Sequence, residues 1–172
     1  MPEFSRLALV VSDTENAHAA AAQFRELFGW VSLEEAEAAV VLGGDGTCRV
    51  AAKGAGSTPL LPVSTGTNNA FPQAIESTLA GLAAAIVARG AAAAAIGYAP
   101  CLRILREGEP IDLALVDVVS FEGMVGAKAV WQMERVRQIV SARHTPGTIG
   151  LSAIAGYLGL QPPAADVGLA LA

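Results

Sequence analysis

Apolar residues in this chain come in short runs, each cut off by glycine or by a polar stretch. Leu7 to Val11, Ala39-Val40-Val41-Leu42 and Leu60-Leu61-Pro62-Val63 are such runs. Short runs rich in β-branched residues that end at a turn signal read as buried strands of an α/β sheet. Between the first two lies a stretch with Phe24, Leu27 and Phe28 at helical spacing, closed by Gly29. Ser12, Asp13 or Thr14 can cap that helix by accepting from first-turn N–H groups. The second run turns at Gly43 to Thr47 into a short helix reaching about Lys53, and Gly54 to Pro59 reads as a loop. A long alanine-rich helix is expected over about 73–89. This strand–helix alternation implies a parallel sheet with right-handed crossovers.

The pattern changes near Tyr98. Leu102 to Arg106 and Ile111 to Phe121 read as strands, and Glu107-Gly108-Glu109-Pro110 between them suggests a hairpin. The spacing of Met133, Val136 and Val140 among Glu134, Arg135 and Arg137 predicts a helix over 131–143. Gly147, Gly150, Gly156 and Gly159 break an apolar tail. The expectation is an α/β domain over 1–98, Rossmann-like, followed by a short β-rich part over 99–172.

Two loops carry the polar chemistry: Gly43-Gly44-Asp45-Gly46-Thr47 and Ser64-Thr65-Gly66-Thr67-Asn68-Asn69. With parallel strands, both leave the sheet at carboxyl ends, the side where open α/β sheets bind ligands. The glycines would let a ligand approach bare backbone, with Gly46 free to take a positive φ. Thr47 could cap the next helix, whose N-terminus favours an anion. Asp45 repels phosphate but suits a magnesium ion or the proton of an attacking hydroxyl. Phosphoryl transfer needs mainly positioning and charge neutralisation. Hydroxyls and amides of the second loop suit ribose hydroxyls and phosphate oxygens. The alternative is structural: a tight turn with Asp45 as a solvated cap, and a serine- and threonine-rich turn that satisfies its own backbone.

The remaining polar residues carry less. His18 reads as a surface histidine, and His144 could line a loop. Cys48 reads as packing, although a helix N-terminus would lower its pKa. Asp117, in an apolar run, needs partners if buried. Trp30 and Trp131 read as core or interface.

Composition narrows the classes further. The chain has 172 residues, 53% hydrophobic, and much of that is alanine, so the core is built from small side chains. A net charge of −5 and no basic patch argue against nucleic acid. Cys48 and Cys101 form no CxxC, and a reduced, cytoplasmic setting follows. Met1 to Arg6, with Glu3, does not read as a signal peptide. Thr78 to Leu102 is very apolar, but Arg89 and Gly90 interrupt it, so a packed helix is expected rather than a span of roughly 20 apolar residues. The sequence has no Walker A lysine, no GxGxxG and no metal-ligand cluster of cysteine or histidine.

Val41 to Thr47 resembles the strand and GGDGT motif of the NAD kinase and diacylglycerol kinase superfamily. Gly66, Thr67, Asn69 and Phe71 resemble its GTxNxF loop. Ala114 to Val119 resembles the ALNEVV segment of NAD kinases, with Val116 for Asn and Asp117 for Glu. Thr145-Pro146-Gly147-Thr148 with Ser152-Ala153 resembles TPTGSTAY. Taken together the chain is most similar to the NAD kinase-like proteins associated with acetoin catabolism. The resemblance implies an active site between an α/β and a β-rich domain, with ATP, Mg²⁺ and NAD as donor, ion and acceptor. It implies Asp45 as the catalytic carboxylate and Gly43, Gly44, Gly46 and Thr47 at phosphates. It puts Asn68, Asn69 and Asp117 at the nucleoside or acceptor and counts Gly66 and Thr67 among the cofactor-binding residues, in a homo-oligomer. The chain is shorter than a usual member, so the β-rich domain is expected to be incomplete, and Val116 cannot make the amide contacts of the family Asn. Three other readings share the fold: a kinase for a lipid or small alcohol, a nucleotide-binding regulator without turnover, and an assembly subunit.

Overall fold

The computed structural model describes residues 6–25, 29–88, 91–123, 132–144, 147, 149–159 and 169–171. The chain divides into two compact units, Met1–Tyr98 and Ala99–Ala172.

The first unit contains β1 (Leu7–Val11), α1 (Glu15–Arg25), β2 (Ala38–Gly43), α2 (Asp45–Gly54), β3 (Leu60–Ser64) and α3 (Ser77–Ala88). The strands form a parallel sheet in the order β1-β2-β3, as the apolar runs predict. Burial of β2 on both faces explains why its sequence does not alternate: Ala39, Val40, Val41 and Leu42 are all buried. Val40 and Leu42 pack with Ala20 and Ala21 of α1, Ala80 of α3 and Val63 of β3. Ala39 packs with Ala8 and Ala36 in a separate cluster. Alanine on the helices lets their backbones come close to the sheet.

Sheet register decides where the site forms. Gly43 is the partner of Ser64, so the two glycine-rich loops start side by side. Ser12 N–H donates to the Leu42 carbonyl at 2.8 Å, placing the turn after β1 at the same end.

β3 ends the sheet. Thr65 N–H donates toward Gly43, whereas Ser64 N–H donates to Gln73 on the other side. N–H direction alternates along a strand, so Pro62, two residues before Ser64, has its nitrogen on the outer side. Its missing donor costs no bond to β2.

Local signals set the helix starts. Thr14 Oγ1 accepts from Ala17 N–H at 3.3 Å, which selects Thr14 among the three cap candidates of α1. α3 begins at Ser77, four residues later than position 73. The Glu76 carboxylate accepts from the N–H groups of Thr78 and Leu79, both at 3.0 Å, and these bonds hold its pKa below the ordinary value. Residues 91–101 are irregular, and no helix among the described residues is long and apolar enough to cross a membrane.

The second unit contains β4 (Leu102–Arg106), β5 (Glu109–Ala114), β6 (Asp117–Phe121), β7 (Val136–Ser141), α4 (Ser152–Tyr157) and β8 (Leu169–Leu171). β4 and β5 form the expected hairpin, turning at Glu107 (φ 55°) and Gly108 (φ 87°). Positive φ at both turn residues matches the twist of paired strands. The single run over 111–121 is divided: β5 stops at Ala114 and β6 begins at Asp117. The helix expected over 131–143 is not formed. Met133–Arg135 makes one 3-10 turn, and Val136–Ser141 is a strand between β6 and β8. Ile139 gains burial there against Leu151, with Val119, Phe121 and Ile154 around them. Trp131, Leu27, Phe28, Thr145, Pro146 and Thr148 lie outside the described residues, as does the side chain of Phe24.

The fully buried Ala21 of α1 gives a test of this close packing. Ala21→Leu should destabilise by about 1–3 kcal/mol through overpacking, read as a lower urea midpoint with unchanged slope.

Candidate functional site

Gly44 is the residue before α2, and Asp45, Gly46 and Thr47 form its first turn. In that turn the helix itself supplies no acceptor for N–H groups. Two sequence expectations are corrected here. Thr47 does not cap the helix, because α2 starts before it. Gly46 does not adopt a positive φ, because it lies inside that turn.

The glycines differ in what surrounds them. A Cβ on Gly43 would lie 2.5 Å from Thr47 Oγ1, and one on Gly44 would lie 2.5 Å from Asn69 Oδ1. The space beside these two residues is therefore filled by the protein's own side chains rather than left for a ligand. Gly46 is the opposite case, with nothing within 4 Å of such a Cβ. A glycine in a helix costs roughly 0.5–1 kcal/mol relative to alanine. Nothing in the packing of the described residues calls for it at position 46.

Asp45 ties the first loop to the second. Its Oδ1 accepts from Phe71 N–H at 2.7 Å and from Ala70 N–H at 3.0 Å, and its Oδ2 lies 3.1 Å from the same Ala70 nitrogen. A carboxylate offers about four lone-pair positions, so these bonds leave Oδ2 able to accept again. The two backbone donors could not be found from residue types, since every residue but proline carries one.

In the second loop Gly66, Thr67 and Asn68 are exposed, while Asn69 is half-buried. Asn69 Nδ2 donates to Ser64 Oγ at 2.7 Å, and Ser64 Oγ donates to the Gly66 carbonyl at 3.0 Å. The structure thus brings Gly43, Gly44, Asp45, Gly46, Thr47, Gly66, Thr67, Asn68 and Asn69 into one cluster within the first unit. Asp117 belongs to the second unit, where it is half-buried at the start of β6, opposite Ser141.

Other polar candidates separate clearly. His18 is exposed beside Asp13 at 3.3 Å, as a surface histidine should be. His144 is half-buried in the second unit, and among the described residues its Nδ1 is buried without a hydrogen-bond partner. Cys48 is buried, and burial pushes its thiol up to about 12, with the negative charge of Asp45 adding to the rise. The expected lowering by the helix N-terminus is overturned, because desolvation of the thiolate is the larger effect. Cys101 is exposed. No group of three or more His, Cys, Asp or Glu among the described residues could hold a metal ion. A cavity of about 260 Å³ opens at the other end of the strands, lined by Leu7, Ala38, Leu60, Ala84 and Ile96 among others. Its lining has no polar side chain, which makes it unsuited to a phosphate.

The ATP-NAD kinase N-terminal domain family matches residues 6–91, and the Acetoin catabolism protein X C-terminal domain family matches residues 100–172. The parallel sheet and the GGDGT loop at the end of β2 thus lie within the residues matched by the ATP-NAD kinase N-terminal domain family. The chain belongs to the NAD kinase-like family that carries the C-terminal domain of acetoin catabolism protein X. It is 41% identical to Acetoin catabolism protein X of Cupriavidus necator over 128 residues, 70% of this chain and 36% of that protein. It is 43% identical to the NAD kinase of Zymomonas mobilis subsp. mobilis over 44 residues, 26% of this chain and 17% of that enzyme. The chain therefore matches about a third or less of the length of these relatives.

Two outcomes follow. Gly43→Ala should lower stability by about 1–3 kcal/mol through the clash with Thr47, while Gly46→Ala should leave it unchanged or raise it slightly, both read by urea unfolding. For Cys48 the folded pKa lies above the ordinary 9.0. Its contribution is therefore complete below about pH 9 and is lost as pH rises through about 12. The stability difference between wild type and Cys48→Ala should shrink from about pH 8 to about pH 11, and a constant difference would contradict the shift.

Proposed function

We propose that this chain carries the nucleotide site of an ATP-dependent kinase that phosphorylates the 2′-hydroxyl of the adenosine ribose of NAD. The supporting observation is the first turn of α2. It combines N–H groups that lack helix partners, an open approach at Gly46 and a carboxylate at Asp45. Phosphate oxygens would be met by the N–H groups of Gly46 and Thr47, where the helix end carries partial positive charge. Thr67 and Asn68, exposed on the second loop, would meet ribose hydroxyls. Asp45 would accept the proton of the attacking hydroxyl on Oδ2, while Oδ1 stays bound to Phe71 and Ala70. The γ-phosphoryl group passes to the ribose oxygen, ADP leaves, and the hydroxyl proton goes to Asp45.

With no three-ligand metal cluster among the described residues, the donor set fits Mg²⁺ held mainly by the ATP phosphates, with Asp45 as the protein carboxylate at the site. Bound there, the ion would neutralise charge on the transferring group. Family membership supports ATP and NAD as the nucleotides. Asp117 and a homo-oligomeric assembly remain part of the proposal on the strength of the family resemblance, and a cytoplasmic setting on the pattern of Cys48 and Cys101.

A second reading is supported by the same carboxylate. Asp45 already has a structural task on Ala70 and Phe71, so the site could bind nucleotide without turnover.

Purified protein incubated with Mg-ATP and NAD should yield NADP by mass spectrometry. Asp45→Asn should abolish it. Gly46→Ala should stay folded and lose at least about tenfold in rate, because its methyl group enters the phosphate approach. Nucleotide-induced stabilisation without NADP would favour the binding protein over the kinase.

A further inference from the structure

The second loop contains two adjacent asparagines, and the structure gives them different surroundings. Asn68 is exposed. The Asn69 amide lies between one glycine from each loop. Its Oδ1 is 2.5 Å from where a Cβ on Gly44 would stand, and its Nδ2 is 3.1 Å from where a Cβ on Gly66 would stand. Proton inventory fixes which way round the amide lies. Ser64 spends its hydroxyl proton on the Gly66 carbonyl, so its oxygen must accept, and the Asn69 group facing it is the NH₂. The amide oxygen is thereby turned toward Gly44.

Gly44 has φ −103° and ψ −167°, a conformation open to any residue. Its backbone does not demand glycine. The space that the Asn69 amide occupies does.

We infer that Asn69 is a positioning residue and that Gly44 is its socket. The amide locks the second loop to the residue immediately before Asp45. From the other side, Asp45 holds Ala70 and Phe71, the two residues immediately after Asn69. The contacts cross: residue 44 receives 69, and residue 45 receives 70 and 71. The first turn of α2 and the second loop therefore move as one piece. Asn69 sets the position of the phosphate-facing turn without touching the nucleotide, and the ligand contacts of the second loop fall to Thr67 and Asn68. This rests on the nucleotide reading above only for its effect on affinity.

A double-mutant cycle tests it. Gly44→Ala alone should lower the melting temperature by at least about 5 °C, because the methyl group meets Asn69 Oδ1. Asn69→Ala should also lower it. In the Asn69→Ala background, Gly44→Ala should cost little or restore part of the loss, since the methyl group then enters an empty socket. Additive losses would overturn the inference. Asn69→Ser, whose side chain is too short to reach the socket, serves the same cycle if Asn69→Ala does not fold.

Calorimetric titration with ATP, well below every melting temperature, supplies a second readout. Asn69→Ala should weaken ATP binding about tenfold or more, whereas Asn68→Ala should weaken binding with no change in melting temperature. An Asn69→Ala protein that melts like wild type yet loses ATP would make Asn69 a ligand contact and overturn the positioning role. The melting cycle contains no nucleotide, so a wild type that binds neither ATP nor NAD would sink the proposed function and leave the lock to be decided by the coupling.

Discussion

Everything at this site depends on one carboxylate accepting from two consecutive backbone N–H groups. Without Asp45, the nitrogens of Ala70 and Phe71 would face the first loop with no ionised acceptor supplied by it. Charge-assisted bonds of this kind are shorter and stronger than neutral ones. The carboxylate also sits in the first turn of a helix, where its charge is favoured by the aligned peptide dipoles. The same position thus serves the helix end and the loop. Side-by-side placement of Gly43 and Ser64 in the sheet makes this possible, because it starts both loops from one line.

Much of the first unit was legible in the sequence. Apolar runs at β1, β2 and β3 gave the parallel sheet, and the glycine-rich motifs marked the loops. What occupies the space beside each glycine was not legible. Gly43 and Gly44 looked like openings for a ligand, yet Thr47 and Asn69 fill them. That outcome depends on which side chains cross between loops distant along the chain. Cys48 failed for a related reason: the sequence showed its nearness to a helix N-terminus but not its burial, and desolvation outweighed the dipole. In the second unit, Val136 and Val140 stand four apart, which fits a helix. Val-Arg-Gln-Ile-Val-Ser fits a strand equally well, and pairing with β6 decided between them.

Alanine shapes the first unit more than its small size suggests. Ala20, Ala21 and Ala80 bring α1 and α3 against Val40 and Leu42. Each alanine buries little area, so cohesion comes from closeness of backbones rather than from large side chains. Such packing tolerates loss of volume poorly and gain of volume worse. That packing covers one face of β2, and Ala39 packs with Ala8 and Ala36 on the other, so the loop that follows leaves a strand held from both faces.

Pro62 has a consequence outside the site. The outer side of β3 is taken at its end by Gln73, which bridges to Val63 and accepts from Ser64 N–H, and at residue 62 that side offers no donor. A neighbouring molecule trying to extend the sheet there would meet a gap in the ladder. Proline at such a position is one way in which strand edges are kept from pairing with another chain. It does so at a position where its own sheet never needed the bond.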